Sequence, residues 1–158
     1  MQVNRVLVPL DGSPLAEAAL TWAASLTRAG GTVVLLRAAE APTARTGDPI
    51  ETQLEAVRAA EAYLAGVVPA VTALGVSHVD TAVWYGPAVE SIVDAARYRN
   101  AELIVMSTHG RSGLGRLVMG SVAESVLRAT TTPILLVRSP QAAGAAPVPV
   151  ATEMAAAR

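Results

Sequence analysis

The sequence predicts an α/β domain in which a five-stranded parallel sheet is covered by helices on both faces. Five short apolar runs, rich in β-branched residues, alternate with four segments of helical periodicity. Nearly continuous apolar runs are typical of strands buried on both faces, and the alternation is typical of parallel sheets with right-handed crossovers. The chain has 158 residues, of which 32 are alanine, a small helix former that lets helices pack close to a sheet.

The five predicted strands share short length and apolar composition: they are Val3–Val8, Thr32–Leu36, Val79–Trp84, Leu103–Met106 and Ile134–Val137. Pro133 precedes the last strand, which indicates an edge of the sheet, where proline is tolerated. An exposed apolar edge favours pairing with a second copy of the chain. The sequence therefore predicts a homodimer through residues 133–138.

The first two predicted helices each have an apolar face. Ser13 and Pro14 begin the first helix, and Gly30-Gly31 ends it. Pro69 lies inside the second helix and predicts a bend or a break, because proline cannot donate the helical hydrogen bond. The residues predicted to face the core are Leu15, Ala19, Trp22 and Leu26 in the first helix, and Leu54, Val57, Leu64, Val68 and Val71 in the second.

The third predicted helix begins at Gly86-Pro87 and the fourth near Gly120-Ser121. Their predicted inward residues are Val89, Ile92, Val93 and Ala96 in the third, and Val122, Val126 and Leu127 in the fourth. Residues 39–48 lack periodicity and predict a loop. We expect one domain over residues 1–138, followed by an Ala/Pro-rich, disordered tail over residues 139–158.

The composition excludes several classes of site. The sequence has no cysteine, which removes disulfides and thiolate metal sites, and no lysine, which removes the Walker A loop. A net charge of −1 argues against nucleic-acid partners. No apolar run approaches the roughly 18–20 residues of a membrane helix, and Pro9 and Asp11 interrupt the first strand too early for a signal peptide. We therefore expect a soluble cytoplasmic protein without a membrane partner.

Ligands of open parallel sheets bind beyond the carboxyl ends of the strands. Asp11 follows the first strand, where a carboxylate can bind ribose hydroxyls or hold a metal through water. The alternative is that Asp11 caps the next helix.

The fourth strand leads through a glycine-rich loop into the helix that begins at Gly120-Ser121. Glycine backbone amides and a helix N-terminus together can bind phosphate without lysine. The alternative is a loop that is only flexible. His109 lies in this loop and is expected to orient it. Two histidines far apart, without cysteine, argue against zinc.

Two segments resemble the universal stress protein family. Val6–Ser13 resembles the family's opening strand. Met106–Gly110, followed after nine residues by Gly120–Glu124, resembles its nucleotide motif of glycine, two residues, glycine, nine residues, glycine and serine or threonine. The similarity covers residues 3–138.

The resemblance implies a three-layer Rossmann-like domain of the adenine nucleotide alpha hydrolase-like type, with strand order 3-2-1-4-5. It also implies ATP as ligand, with Mg²⁺ reached from Asp11 through water and no direct metal ligand. Asp11 would contact ribose, and the backbone of Ala38 would contact adenine. The implied site residues are Pro9, Asp11, Ala38, Met106, Ser107, His109, Gly110, Gly120, Ser121 and Val122. Ser107 stands where the motif has glycine, so its side chain either crowds the ribose or adds a hydrogen bond.

We expect an ATP-binding regulator of the stress response that changes shape or partner with its ligand. One alternative is a dimeric interaction or protective module that needs no nucleotide. Another is a slow ATP hydrolase, for which Asp11 and His109 are the available acid–base groups. Without a lysine at the terminal phosphates, such a site is better suited to holding ATP than to hydrolysing it.

Overall fold

The computed structural model describes residues 2–40, 48–108 and 119–138. Its five strands are β1 (Val3–Pro9), β2 (Thr27–Ala39), β3 (His78–Tyr85), β4 (Leu103–Ser107) and β5 (Ile134–Val137). They form one sheet in the order β3-β2-β1-β4-β5, and every neighbouring pair is parallel. The predicted fold class and strand order are confirmed, and β5 forms an edge of the sheet.

The helices are α1 (Pro14–Glu17), α2 (Ala19–Leu26), α3 (Pro49–Ala73), α4 (Ala88–Tyr98) and α5 (Ser121–Ala129). The first predicted helix is thus two short helices that meet at Ala18. α3 continues past Pro69 to Ala73, so the alternative of a break at this proline is wrong, and the bend stays a prediction.

Gly30-Gly31 does not end a helix, contrary to the prediction. α2 ends at Leu26, and the chain enters β2 directly at Thr27. The glycines instead belong to an irregularity between β1 and β2, where Val3 pairs with Thr27 and Arg5 with Thr32. Between these two pairs, one residue of β1 (Asn4) is therefore opposite four residues of β2 (28–31).

The backbone approach at this irregularity requires glycine. A Cβ on Gly31 would lie 2.8 Å from the carbonyl oxygen of Asn4, closer than side-chain carbons approach backbone oxygen. Gly30 adopts a φ of +77°, which β-carbon-bearing residues rarely take. The close contact between two strands, and not a helix terminus, explains the glycine pair.

The core has two layers, one on each face of the sheet. Val6, Val8, Val33 and Leu35 face the layer packed by α1, α2 and α3, whereas Leu7, Val34, Leu36 and Ile104 face the layer packed by α4 and α5. All eight are fully buried. Their alternation along β1 and β2 follows from the two-residue period of a strand and confirms helices on both faces.

Four residues predicted to face the core are exposed instead: Trp22 (54%), Leu54 (45%), Val122 (37%) and Leu127 (48%). The break at Ala18 changes the buried face of α2, which buries Ala19, Leu20 and Ala23. The buried residues of α3 begin only at Ala60, so Leu54 precedes the part packed on the sheet. α5 is short and buries only the narrow stripe of Ala123 and Val126.

None of the helices in the described ranges has the length and apolar character needed to cross a bilayer. The proposed tail, residues 139–158, lies outside the described residues, as do residues 41–47 of the predicted loop.

Candidate functional site

A cavity of about 720 Å³ opens at the carboxyl ends of the central strands. Its volume is within the range of roughly 300–1,000 Å³ that is usual for small-molecule sites. The lining residues come from the ends of β1, β2 and β4, from α3 and from the start of α5. β1 lies between β2 and β4, so the cavity is at the point where the strand order reverses.

Asp11 lines this cavity directly after β1. Its Oδ1 accepts hydrogen bonds from the Ser13 amide (2.9 Å) and the Ser13 hydroxyl (2.6 Å). The Ser13 hydroxyl also accepts from the amide of Ala16, so Ser13 is the residue that caps α1. The alternative that Asp11 serves as the helix cap is therefore wrong, and its carboxylate is oriented by the capping residue instead.

Ala38 presents its backbone to the same cavity because β1 is shorter than β2. The last register pair of the two strands joins Pro9 to Leu36, and the Leu10 amide donates to the Leu36 carbonyl. Hydrogen-bonding groups alternate sides along a strand, so those of Ala38 point in the same direction as those of Leu36. No β1 residue is paired at that level, and Ala38 lines the cavity.

The N-terminus of α5 forms the opposite wall, with Gly120, Ser121 and Val122 among the lining residues. Gly120 is the N-cap residue, and no side chain in the described part of the chain caps the helix. The first-turn amides therefore remain as donors, and the helix adds partial positive charge. The Gly120 amide donates to the Thr108 carbonyl (2.7 Å), which ties the start of α5 to the end of β4.

Met106 and Ser107, at the end of β4, form the floor between these walls. Both are buried, and Ser107 keeps 8% of its surface exposed. The structure thus brings together eight of the predicted site residues: Pro9, Asp11, Ala38, Met106, Ser107, Gly120, Ser121 and Val122. The other two, His109 and Gly110, lie outside the described residues.

α3 contributes a wall of the cavity that was not predicted from the sequence. This wall combines small and polar side chains, namely Thr52, Glu55, Ala56, Ala59 and Ala60. The available signal was the three- and four-residue spacing of its alanines, which places small residues on one face of a helix.

Arg37, which also lines the cavity, was likewise missed. Its Nη1 donates to the Leu10 carbonyl at 3.3 Å, and its guanidinium carbon lies 5.1 Å from the centre of the Tyr63 ring. The Tyr63 hydroxyl donates to Glu17 at 2.8 Å. Burial and the nearby Glu17 carboxylate raise the pKa of Tyr63 well above its ordinary value.

Among the residues that the structure describes, no three His, Asp or Glu side chains are grouped closely enough to hold a metal ion. A divalent cation at this site would have to depend on its ligand and on water as well as on Asp11.

A family model described as "Universal stress protein family" matches residues 2–138. A universal stress protein of Thermus aquaticus is 32% identical over 136 residues, which are 84% of this chain and 97% of that protein. A second, from Methanocaldococcus jannaschii, is 40% identical over 63 residues, or 40% of this chain and 37% of that protein.

Solved structures share the fold. A universal stress protein in complex with cAMP has a TM-score of 0.67 at 22% identity, covering 85% of this chain and 96% of its own. The universal stress protein of Archaeoglobus fulgidus in complex with dAMP has a TM-score of 0.64 at 24% identity, covering 86% of this chain and 98% of its own.

Proposed function

The chain belongs to the universal stress protein family, and from this premise we propose that it binds an adenine nucleotide in the cavity at the carboxyl ends of its strands. The observation that carries the proposal is the placement of three different groups around one cavity. These are the Ala38 backbone that faces the cavity, the carboxylate of Asp11 and the N-terminus of α5. Two solved relatives hold cAMP and dAMP, which supports the ligand class.

Each group suits one part of a nucleotide. The Ala38 amide and carbonyl offer one donor and one acceptor, which complement N1 and the exocyclic amine of adenine. The Asp11 carboxylate accepts hydrogen bonds from ribose hydroxyls. The α5 amides and the Ser121 hydroxyl donate to phosphate oxygens without any lysine.

The finer proposal is that the ligand is ATP with Mg²⁺, and that ATP acts as a signal in a stress response. Asp11 would hold the ion through water, and Ser107 would border the ribose. Bound nucleotide would change the shape or the partners of the protein.

We also propose a cytoplasmic homodimer joined through residues 133–138. β5 supports the dimer, since it is an edge strand of the sheet. Imaging of the full chain fused to a fluorescent protein tests the location.

Calorimetric titration of the purified chain with ATP and Mg²⁺, together with identification of any nucleotide that co-purifies, tests the function. We expect saturable binding near one nucleotide per chain. Gly120→Val should abolish it, because the branched side chain lies at the N-cap, where phosphate would approach the first-turn amides.

Gly66→Val is the matched control. It makes the same chemical change in α3, where a Cβ on Gly66 would meet no atom within 4 Å. Equal affinities of the Gly120→Val and Gly66→Val variants would show that phosphate does not bind at α5. A wild-type chain that binds no adenine nucleotide would refute the proposed function.

A further inference from the structure

The Arg37 side chain extends from the end of β2 to the loop that carries Asp11. Its Nη1 donates to the carbonyl of Leu10 at 3.3 Å. A Cβ on Gly12 would lie 3.1 Å from the same nitrogen, so the guanidinium also lies against Gly12. Arg37 therefore bonds to the residue before Asp11 and lies beside the residue after it.

Arg37 is itself held from the opposite side. The Tyr63 ring of α3 lies 5.1 Å from the guanidinium carbon, a distance at which a cation and an aromatic ring attract each other. The Tyr63 hydroxyl donates to Glu17 of α1 at 2.8 Å. This anchoring restricts the guanidinium to the vicinity of the Asp11 loop.

The hydrogen bonds from Ser13 to Asp11 cannot replace this contact. Donor and acceptor are two residues apart, so the bonds orient the carboxylate within its own turn. They do not fix that turn relative to the sheet. The Leu10 amide already donates to the Leu36 carbonyl of β2, at the start of the turn. Arg37 belongs to the same strand, which also carries the Ala38 backbone, and it adds a bond to the Leu10 carbonyl and places its guanidinium beside Gly12, on the other side of Asp11.

We propose that Arg37 is a positioning residue, which holds the Asp11 carboxylate at a fixed place beside the Ala38 edge so that it binds the ribose hydroxyls. This inference rests on the proposed function. Arg37 acts through Asp11 and so should affect ligands that have ribose hydroxyls more than ligands that lack them.

The test compares ATP with 2′,3′-dideoxy-ATP, which lacks both hydroxyls, by calorimetry on the wild-type chain and on Arg37→Met. The wild type should prefer ATP. In Arg37→Met, the affinity for ATP should fall about tenfold, because that is the usual effect of losing one charge-assisted hydrogen bond. The affinity for the dideoxy analogue should stay within about twofold of the wild-type value. Equal weakening for both ligands would indicate a merely structural role and would overturn the proposal.

Two further variants sharpen the comparison. Arg28→Met removes an exposed arginine from the far end of β2 and should leave the preference for ATP unchanged. Arg37→Lys retains a cationic donor and should restore part of the preference. If Arg37→Lys behaved as Arg37→Met and Arg28→Met also lost the preference, the effect would not belong to Arg37.

Amide hydrogen exchange of the ligand-free protein separates this inference from the proposed function. The Leu10 amide donates to the Leu36 carbonyl of β2, so its exchange rate reports how firmly the turn that carries Asp11 is held on the sheet. Faster exchange of this amide in Arg37→Met would support positioning even if the wild type bound no ATP. An unchanged Leu10 rate, with an unchanged preference for ATP, would refute positioning and leave nucleotide binding intact.

Discussion

Tyr63 joins a carboxylate and a guanidinium on the α3 side of the cavity. Its hydroxyl donates to Glu17 at 2.8 Å, and its ring faces Arg37. Burial is the main reason that the pKa of Tyr63 is raised from 10.0, and the hydrogen bond to Glu17 is the second. A raised pKa means that the folded state favours the neutral phenol.

This pKa shift makes stability depend on pH in the alkaline range. The contribution of Tyr63 to the free energy of unfolding is fully present below pH 10.0, the pKa of the phenol in the unfolded chain. It is lost as the pH rises above that value, because the tyrosine ionises first in the unfolded chain. Tyr63→Phe removes the hydrogen bond to Glu17 and should lower the free energy of unfolding by about 1 kcal/mol near neutral pH. The difference in this free energy between the variant and the wild type should be smaller at about pH 11.

Urea unfolding at the two pH values measures both effects. Tyr98→Phe, at a side chain that is 75% exposed, is the matched control and should leave stability near neutral pH almost unchanged. If the difference in free energy of unfolding between wild type and Tyr63→Phe grew at alkaline pH, the raised pKa of Tyr63 would be contradicted.

The residues of the candidate site differ in how far the sequence could reveal them. Asp11 and the Gly120–Val122 segment were predicted, because position after a strand and position at a helix start are visible in the sequence itself. Arg37 was missed, since its contacts with Leu10 and Tyr63 join residues 27 and 26 positions away along the chain. Periodicity cannot show which side chains from separate elements meet.

At the level of elements, apolar runs located all five strands, and β5 has the predicted bounds. The observed β2, Thr27–Ala39, extends well beyond the predicted Thr32–Leu36. The end of α2 was missed because the signal at Gly30-Gly31 reflects a contact with β1 and not a local stop. A pair of glycines has the same appearance in a sequence whichever cause applies.

The strand contact at Gly31 can be tested by substitution. Gly31→Ala places a Cβ 2.8 Å from the Asn4 carbonyl oxygen, so one strand has to move. We expect a loss of about 1–3 kcal/mol in the free energy of unfolding, the usual cost of overpacking.

Gly66→Ala is the control, because a Cβ there meets no atom within 4 Å and alanine favours helix. This variant should gain about 0.5–1 kcal/mol. Urea unfolding measures both variants, and equal stabilities of the two would rule out the steric explanation for Gly31.

For the whole molecule, parallel strands and helices on both faces were predicted from the strand–helix alternation and the nearly continuous apolar runs alone. The strand order did not, because a right-handed crossover permits the next strand on either side of β1. The resemblance to a known family supplied the order, and the structure confirms it.

The proposed dimer depends on the outer side of β5. The Ile104 amide donates to the Pro133 carbonyl and the Thr108 amide to the Val137 carbonyl, so these carbonyls face β4. Because backbone groups of successive residues point to opposite sides of a strand, the Ile134 amide faces away from β4. Ile134→Pro removes that outward donor and should convert a dimer into a monomer in sedimentation experiments.

Ile134→Ala is the control for that variant, since it shortens the same side chain and keeps the amide. It should remain dimeric. A wild-type chain that sediments as a monomer would refute the proposed dimer. An Ile134→Pro variant that stays dimeric and folded would place the interface elsewhere.

The wall that α3 contributes to the cavity separates two properties of the site. The groups proposed to identify a nucleotide belong to the strand ends and to α5, whereas Ala56, Ala59 and Ala60 limit the space from a single helix. Larger or smaller residues at Ala56 and Ala59 would alter the size of ligand admitted while leaving the polar contacts in place. Substitutions in α3 alone can therefore change the size of molecule that the cavity admits, while the polar groups that bind the molecule stay the same.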